Sequence, residues 1–394
     1  MYIRVYREDI IEGLQKASGI IPAKSGAAYL RSIWIRAEGE KVEIIATDSS
    51  VEFRGTYTAE VLEPGLVGIQ GRDFVEYIRD LYPGQISLKE DKESGNLIIK
   101  QGGHSERKMP VNDPLWFNAP LDFPDDKTRA PAMWSGDFIQ EMLEKIVYCI
   151  SDDEAMEAIS CLNIKPVGNG KIDVCGMDGS RFVLLGVIHD DLHALLPPEG
   201  MLIQKKYLAE LKKWIGGGEV ELSLDDRRIF FRSGKHNEIF SLPVSSYNYP
   251  EYTAFMSKLK DNPDLSTLSL KRREISSSLK RMLGFNKSNT NRSAFYDFSD
   301  ASSGKLSISA KDSESGEALE IIDVTYEGNI KNISFNTLSI LEVISHFNSE
   351  SLNLVMSGNE GPCGISGGDD PGYTAIIMPM KIVDEVYYKE EDVK

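Results

Sequence analysis

The chain has 394 residues, 41% of them hydrophobic and 27% charged, with a formal charge of −17. That length predicts two to three globular domains. The strongly acidic balance argues against a generic nucleic-acid binder, and there is neither an apolar run approaching about 18 residues nor a secretory leader in MYIRVYRED, so a cytoplasmic protein is expected.

The elements, taken in chain order, repeat three times, near residues 8–112, 136–244 and 272–380. Each copy opens with an amphipathic helix: EDIIEGLQKASGII, then SGDFIQEMLEKIVYCI, then REISSSLKRMLGF. Alternating strands follow (VEIIATD, KIDVCGMD, KLSISAKD), and each reaches an acidic turn at Asp48, Asp178 or Asp312. A second helix comes next (GRDFVEYIRDLYPG, QKKYLAELKKWIGGG, FNTLSILEVISHFNSE), and strands close the copy. A period this long marks a duplicated domain rather than a solenoid. The breaks FNAPLDFPDDKTRAPAM and SYNYPEYTAFMSKLKDNPD separate the copies. The reading is α+β, with domains at 1–126, 127–252 and 253–394, the last carrying a short C-terminal extension.

Cationic side chains concentrate on two helices. Lys205, Lys206, Lys212 and Lys213 share one stripe of the helix beginning near 204, opposite Tyr207, Leu208, Leu211, Trp214 and Ile215. Arg273, Lys280 and Arg281 oppose Ile275, Leu279, Met282 and Leu283 on the opening helix of the third copy. Such faces are either solvated or offered to something outside the domain.

Catalytic patterns are sparse. His189-Asp190-Asp191-Leu192-His193 has the spacing of a zinc helix, but Asp replaces the longer Glu base and Leu196-Pro197-Pro198 follows, so a polar loop is favoured. There is no P-loop. Gly216-Gly217-Gly218 reads as a helix C-cap, Gly367 to Gly372 as a turn, and Asp152-Asp153-Glu154 as a solvated loop. The four cysteines lack metal spacing and read as buried thiols. The terminal Ala375-Ile376-Ile377-Met378-Pro379-Met380 reads as a core strand running into a proline flanked by flexible methionines, which suits an adaptable peptide pocket.

The helix REDIIEGLQKASGIIPAK, the turn MDGSRF, the linker YNYPEY and the terminal YTAIIMPMKI, in this order across Tyr2 to Ile382, resemble the bacterial DNA polymerase III beta subunit, the replicative sliding clamp. The resemblance implies a head-to-tail homodimer, a six-domain ring around double-stranded DNA, without a cofactor or catalytic residues of its own. It implies hole-facing cations at Lys24, Arg72, Lys205 and Lys206, to which the helix reading adds Arg273 and Lys280. It implies a partner-peptide pocket at Met177, Gly179, Ser180, Arg181, Phe182, Pro250, Phe255, Pro362, Ile376, Ile377, Met378, Pro379 and Met380. Implied partners are the polymerase III alpha subunit, the clamp loader, and repair and translesion polymerases, through short linear motifs. A dimer interface is implied at Met109, Met282 and Leu283, with core packing as the alternative for the last two. The chain departs from the family pattern at Ser180, where histidine is common, in the acidic SDDEAMEAIS loop, and in residues 383–394, which continue beyond the usual end. The rival readings are an acidic interaction scaffold that never encircles DNA and a zinc hydrolase using His189 and His193.

Overall fold

The computed structural model describes residues 1–22, 27–125, 130–235, 237–260, 264–285, 292–312 and 316–381. It contains helices α1 (Arg7–Ile20), α2 (Gly71–Asp80), α3 (Gly136–Ile146), α4 (Asp190–Leu195), α5 (Lys205–Trp214), α6 (Thr253–Lys258), α7 (Arg272–Phe285) and α8 (Thr337–Ser345). The predicted opening helices are α1, α3 and α7, and the predicted second helices are α2, α5 and α8. Their stripes explain why they form. Ile10, Leu14 and Ala17 of α1, Ile139, Leu143 and Ile146 of α3, and Ile275, Leu279 and Met282 of α7 are all buried at matching helical spacing. Glu8 and Asp9 sit in the first turn of α1, where acids suit the helix dipole. Asn336 caps α8 by accepting from the Ser339 N–H at 3.0 Å.

The acidic turns that mark the repeat have a local cause. The Asp48 carboxylate accepts from the backbone N–H groups of Ser50 (2.8 Å) and Val51 (2.7 Å). Asp178 does the same for Ser180 (2.9 Å) and Arg181 (2.8 Å). An aspartate at this place closes the chain reversal between two strands. The side chain of Asp312 lies outside the described residues.

Two compact units result. The first comprises Met1–Leu143, Asn163–Ile172 and Ile188–Tyr247; the second comprises Glu144–Leu162, Asp173–Val187 and Asn248–Lys394. In the first unit, among the described residues, thirteen strands join edge to edge. Within this sheet Glu52–Thr58 of the first copy pairs antiparallel with Glu238–Pro243 of the second, in a register running from Glu52↔Ser241 to Gly55↔Glu238. In the second unit the order of neighbouring strands is Arg181–Ile188, Tyr373–Ile377, Cys363–Gly367, Ser351–Met356, Ser266–Lys271, Gly316–Glu327, Lys305–Asp312, Ser293–Asp297 and Asn332–Asn336. There Arg181–Ile188 of the second copy pairs with Tyr373–Ile377 of the third, from Arg181↔Ile377 to Leu185↔Tyr373. Each unit therefore contains a main-chain ladder from the strand after an acidic turn to the last strand of the next copy. All four cysteines are buried thiols, and burial pushes the Cys363 thiol up to about 12. No helix among the described residues is long and apolar enough to cross a membrane.

The glycine run at 216–218 is not a helix cap. Helix α5 ends at Trp214, with the Ile215 N–H bonded to the Leu211 carbonyl. The run instead meets the start of α3: the Gly136 N–H donates to the Gly218 carbonyl at 2.7 Å, and a Cβ on Gly136 would come within 2.2 Å of the Gly216 carbonyl oxygen. A second close approach seats Tyr57. A Cβ on Gly13 of α1 would lie 1.9 Å from the Tyr57 hydroxyl, and one on Gly55 would lie 2.5 Å from it. That hydroxyl donates to Glu238 at 2.9 Å. Gly13→Ala should therefore displace the Tyr57 ring and lower stability by about 1–3 kcal/mol, read as a lower urea midpoint at unchanged m-value.

Candidate functional site

The second unit carries a cluster of apolar side chains around the turn at Asp178. Cys175, Met177, Phe182, Leu184, Tyr252 and Ile376 are buried together, with Ile159, Tyr249, Phe255, Met256 and Leu259 packed partly buried against them. Three segments supply the wall. Met177 and Phe182 flank the acidic turn. Tyr249 to Leu259 come from the YNYPEY linker and α6. Ile376 lies on the last strand of the third copy. Phe182 stacks on Tyr252 with ring centroids 5.4 Å apart, and meets Phe255 edge-on at 5.1 Å. Tyr252 is fixed from below by its hydroxyl, which donates to the Asp173 carboxylate at 2.9 Å. Burial raises the pKa of both Tyr249 and Tyr252, so they remain neutral phenols.

Of the predicted pocket residues, the structure brings Met177, Phe182, Phe255 and Ile376 into this cluster. Ile377 and Pro362 are buried nearby in the same unit, and Ile377 pairs with Arg181. Gly179 has a φ of +94°, a left-handed conformation that favours glycine. Ser180, Gly179 and Pro250 are exposed. The Met378 N–H donates to the Ser180 carbonyl at 2.9 Å. This bond ties the end of the last strand to the acidic turn and leaves the Met378 side chain 42% exposed. Pro379 and Met380 are half-buried. An apolar floor with an exposed, conformationally soft methionine at its edge is a surface able to receive short apolar side chains.

Arg181 is a structural anchor at this site. Its guanidinium donates to Asp178 at 2.8 Å and to Glu342 of α8 at 2.5 Å, and lies 5.7 Å from the centre of the Tyr148 ring. Burial disfavours its charge, but the hydrogen bonds to Glu342 and Asp178 outweigh that and hold its pKa above the ordinary value. Burial likewise opposes ionisation of Asp178, yet the Ser180 N–H and the Arg181 charge bring its pKa below the usual carboxylate value. The turn is therefore ionised and locked at neutral pH.

The predicted DNA-facing cations fall on helices as expected, with exceptions. Arg72 on α2, Lys206 on α5, and Arg273 and Lys280 on α7 are exposed, while Lys205 is half-buried. Arg72 also donates to the Ile21 carbonyl at 3.2 Å. Lys24 lies outside the described residues. Tyr207, expected on the apolar side of α5, is only half-buried and has the Lys206 ammonium 5.4 Å from its ring centre. Arg281, expected to point to something outside, is held by Glu320 through a two-pronged pair. Of the expected interface residues, Met109 and Met282 are 4% and 1% exposed within the single chain and serve as core side chains, while Leu283 is half-buried. His189 caps the six-residue α4: its Nδ1 accepts from the Leu192 N–H, so Nε2 carries the proton and meets the Met133 carbonyl at 2.8 Å. Both its ring nitrogens are thus engaged.

Comparison with known proteins places this arrangement. Residues 1–114 match the model of the DNA polymerase III beta subunit N-terminal domain, and residues 271–381 match that of its C-terminal domain. The chain belongs to the DNA polymerase III beta subunit family. The beta sliding clamp of Caulobacter vibrioides is 22% identical over 97% of this chain and all of its own length, and that of Chlamydia muridarum is 24% identical over 97% and 99%. Among solved structures, the Caulobacter crescentus clamp with polyethylene glycol bound at a region named for tethering the beta motif has a TM-score of 0.87 at 20% identity, covering 97% of this chain and 100% of that one. The Bacillus subtilis clamp has a TM-score of 0.86 at 18% identity, with the same coverage. The function is that of a DNA sliding clamp, a processivity factor that is not itself an enzyme.

Asp173, Tyr148 and Glu342 carry no local signal of their part in this site, and Tyr252 carries only one. The one available signal for the tyrosine is the aromatic density of YNYPEY within an otherwise polar linker. Tyr252→Phe should remove the donor to buried Asp173 and cost about 1–3 kcal/mol, measured by chemical denaturation.

Proposed function

We propose that this clamp works as a head-to-tail homodimeric ring of six domains, three per chain at 1–126, 127–252 and 253–394, through which duplex DNA is threaded. One observation carries the reading. The strand after the acidic turn of copy one pairs with the last strand of copy two, and the same pairing joins copy two to copy three. The corresponding strand of copy three, Gly316–Glu327, pairs through residues 316–323 with Lys305–Asp312 on one edge only, among the described residues. The last strand of copy one, Ser105–Asn112, likewise pairs through residues 105–110 only with Asn96–Gln101. A second chain, placed head to tail, supplies to each open edge the strand type that it lacks, and closure leaves no unpaired edge at the joints.

Inside such a ring, Arg72, Lys205, Lys206, Arg273 and Lys280 face phosphates without reading bases. The acid excess elsewhere repels DNA from the outside. Retention is then topological, and the contacts are weak enough to slide. The pocket walled by Phe182, Tyr252, Phe255 and Ile376, and edged by Met378 and Met380, receives short linear motifs of the polymerase III alpha subunit, the clamp loader and repair polymerases, which compete for it. A cytoplasmic location fits this role.

Two measurements test the reading. Clamp loaded on nicked circular DNA should remain bound and be lost when the circle is cut; equal retention on both forms would exclude threading. Neutralising Lys205, Lys206, Arg273 and Lys280 together should reduce the dependence of log affinity on log salt by about 0.9 per lost phosphate contact. Separately, Met378→Ser with Met380→Ser should weaken binding of a motif peptide at least about tenfold, through loss of apolar burial, with the dimer intact by sedimentation. Unchanged peptide affinity would move the partner site elsewhere.

A further inference from the structure

The apolar cluster of the second unit has a candidate occupant in its own chain. Two backbone bonds fix where that chain leaves the fold. The Met378 N–H donates to the Ser180 carbonyl at 2.9 Å, and the Met380 N–H donates to the Ser334 carbonyl at 2.8 Å. Ser180 stands two residues before Phe182, whose ring meets Tyr252 and Phe255. The exit is therefore at the edge of the cluster. Phe255 and Met256 are only half-buried there, and Met378 is more exposed still. Residues 382–394, IVDEVYYKEEDVK, follow directly and lie outside the described residues. Eight residues separate Met378 from Tyr387. Eight extended residues reach about 28 Å at most, ample for a return to the Phe182 ring.

The composition of this segment matches what it would meet. Val386, Tyr387 and Tyr388 are consecutive, and around them Asp384, Glu385, Glu390, Glu391 and Asp392 give five acids against two lysines, Lys389 and Lys394. The rim of the cluster offers the opposite charge. Lys258 and Lys260 are exposed and flank Leu259, which packs on the cluster. Lys258 follows Phe255 by three residues on α6, a rise of about 4.5 Å. The nearby carboxylates are engaged: Asp178 and Glu342 share Arg181, and Glu251 accepts from the Thr253 N–H and hydroxyl.

We propose that Val386, Tyr387 and Tyr388 dock on the floor made by Phe182, Tyr252 and Phe255 of the same chain, so that residues 382–394 act as an autoinhibitory flap that partner motifs must displace. The inference rests on the partner pocket proposed above. Tyrosine rings cover a large apolar area and lose few rotamers in doing so, which suits them to an aromatic floor. With the tyrosines seated, the acids that follow them run toward Lys258 and Lys260. Such exposed pairs are individually weak, so they guide the flap without locking it. The covalent connection supplies the rest. A short connection gives an effective concentration in the millimolar range, so a docking contact with an intrinsic Kd of about 0.3 mM fills the pocket most of the time. The apparent Kd of a competing motif then rises by the inverse of the open fraction.

The experiment is a pair of anisotropy titrations. In the first, a labelled motif peptide of the polymerase III alpha subunit is titrated with the full chain, with the full chain carrying Tyr387→Ser and Tyr388→Ser, and with the chain shortened by deletion of residues 383–394. Both altered chains should bind it about three- to tenfold more tightly than the full chain, and equally well as each other. In the second, a labelled peptide of residues 382–394 should bind the shortened chain and be displaced by the motif peptide, whereas the same peptide with both tyrosines replaced by serine should not bind. Lys258→Glu with Lys260→Glu, checked for native circular dichroism, should weaken the tail peptide in the shortened chain by about threefold or more. Equal or weaker binding of the motif peptide to the altered chains overturns the flap while sparing the pocket. A motif peptide that binds no form, beside a tail peptide that does bind, sinks the partner reading and keeps the docking. Failure of both peptides overturns both.

Discussion

Everything in this molecule hangs on one main-chain interaction, the antiparallel ladder by which the strand after an acidic turn takes the last strand of the next copy as its neighbour. Backbone donors and acceptors must be satisfied whatever side chains they carry. A joint made of them therefore tolerates sequence drift that a side-chain interface would not. This explains how the fold superimposes on clamps of about 20% identity with TM-scores near 0.86. The side chains at the joints then set register and local rigidity. Tyr57 needs two glycines to lie where it meets Glu238, and Asp370 gathers the Asn348 and Ser349 N–H groups as well as Lys145.

The acidic turns link this scaffold to the apolar cluster of the second unit. At Asp178 the same carboxylate that reverses the chain also anchors Arg181, and Arg181 reaches Glu342 on α8. The turn of copy two is thereby coupled to the helix of copy three, with the last strand held against it by the Met378 to Ser180 bond. The corresponding turn at Asp48 closes on Val51 and has no arginine after it, since Val51 stands where copy two has Arg181. Such differences set the turn of copy two apart from that of copy one.

How much of this could be read beforehand divides along sequence distance. Helical stripes and strand alternation involve neighbours three, four or two positions apart, so α1, α2, α3, α5, α7 and α8 and the marker aspartates are legible in the chain. Partners far apart are not. Arg181 and Glu342 are separated by 161 positions, Tyr252 and Asp173 by 79, and nothing local announces either pair. The glycine run at 216–218 misleads for the same reason: it sits where a helix cap is common, while its carbonyls crowd the distant Gly136 and only Gly218 within it adopts a left-handed φ, of +106°. Met282 is buried as its place on the apolar stripe of α7 foretold, whereas the burial of Met109 depends on its strand's neighbours.

The ring proposed here has joints of two kinds, and their difference bears on how DNA enters. Within a chain, the copies are tethered by linkers of modest length, so a broken ladder reforms at an effective concentration in the millimolar range. The joint between chains has no tether, and its occupancy depends on protein concentration alone. Even with identical ladders, that joint is the weakest point of the circle. A loader that must open the ring without unfolding it therefore has one natural place to act, and the same chemistry that makes the circle close without a seam decides where it parts.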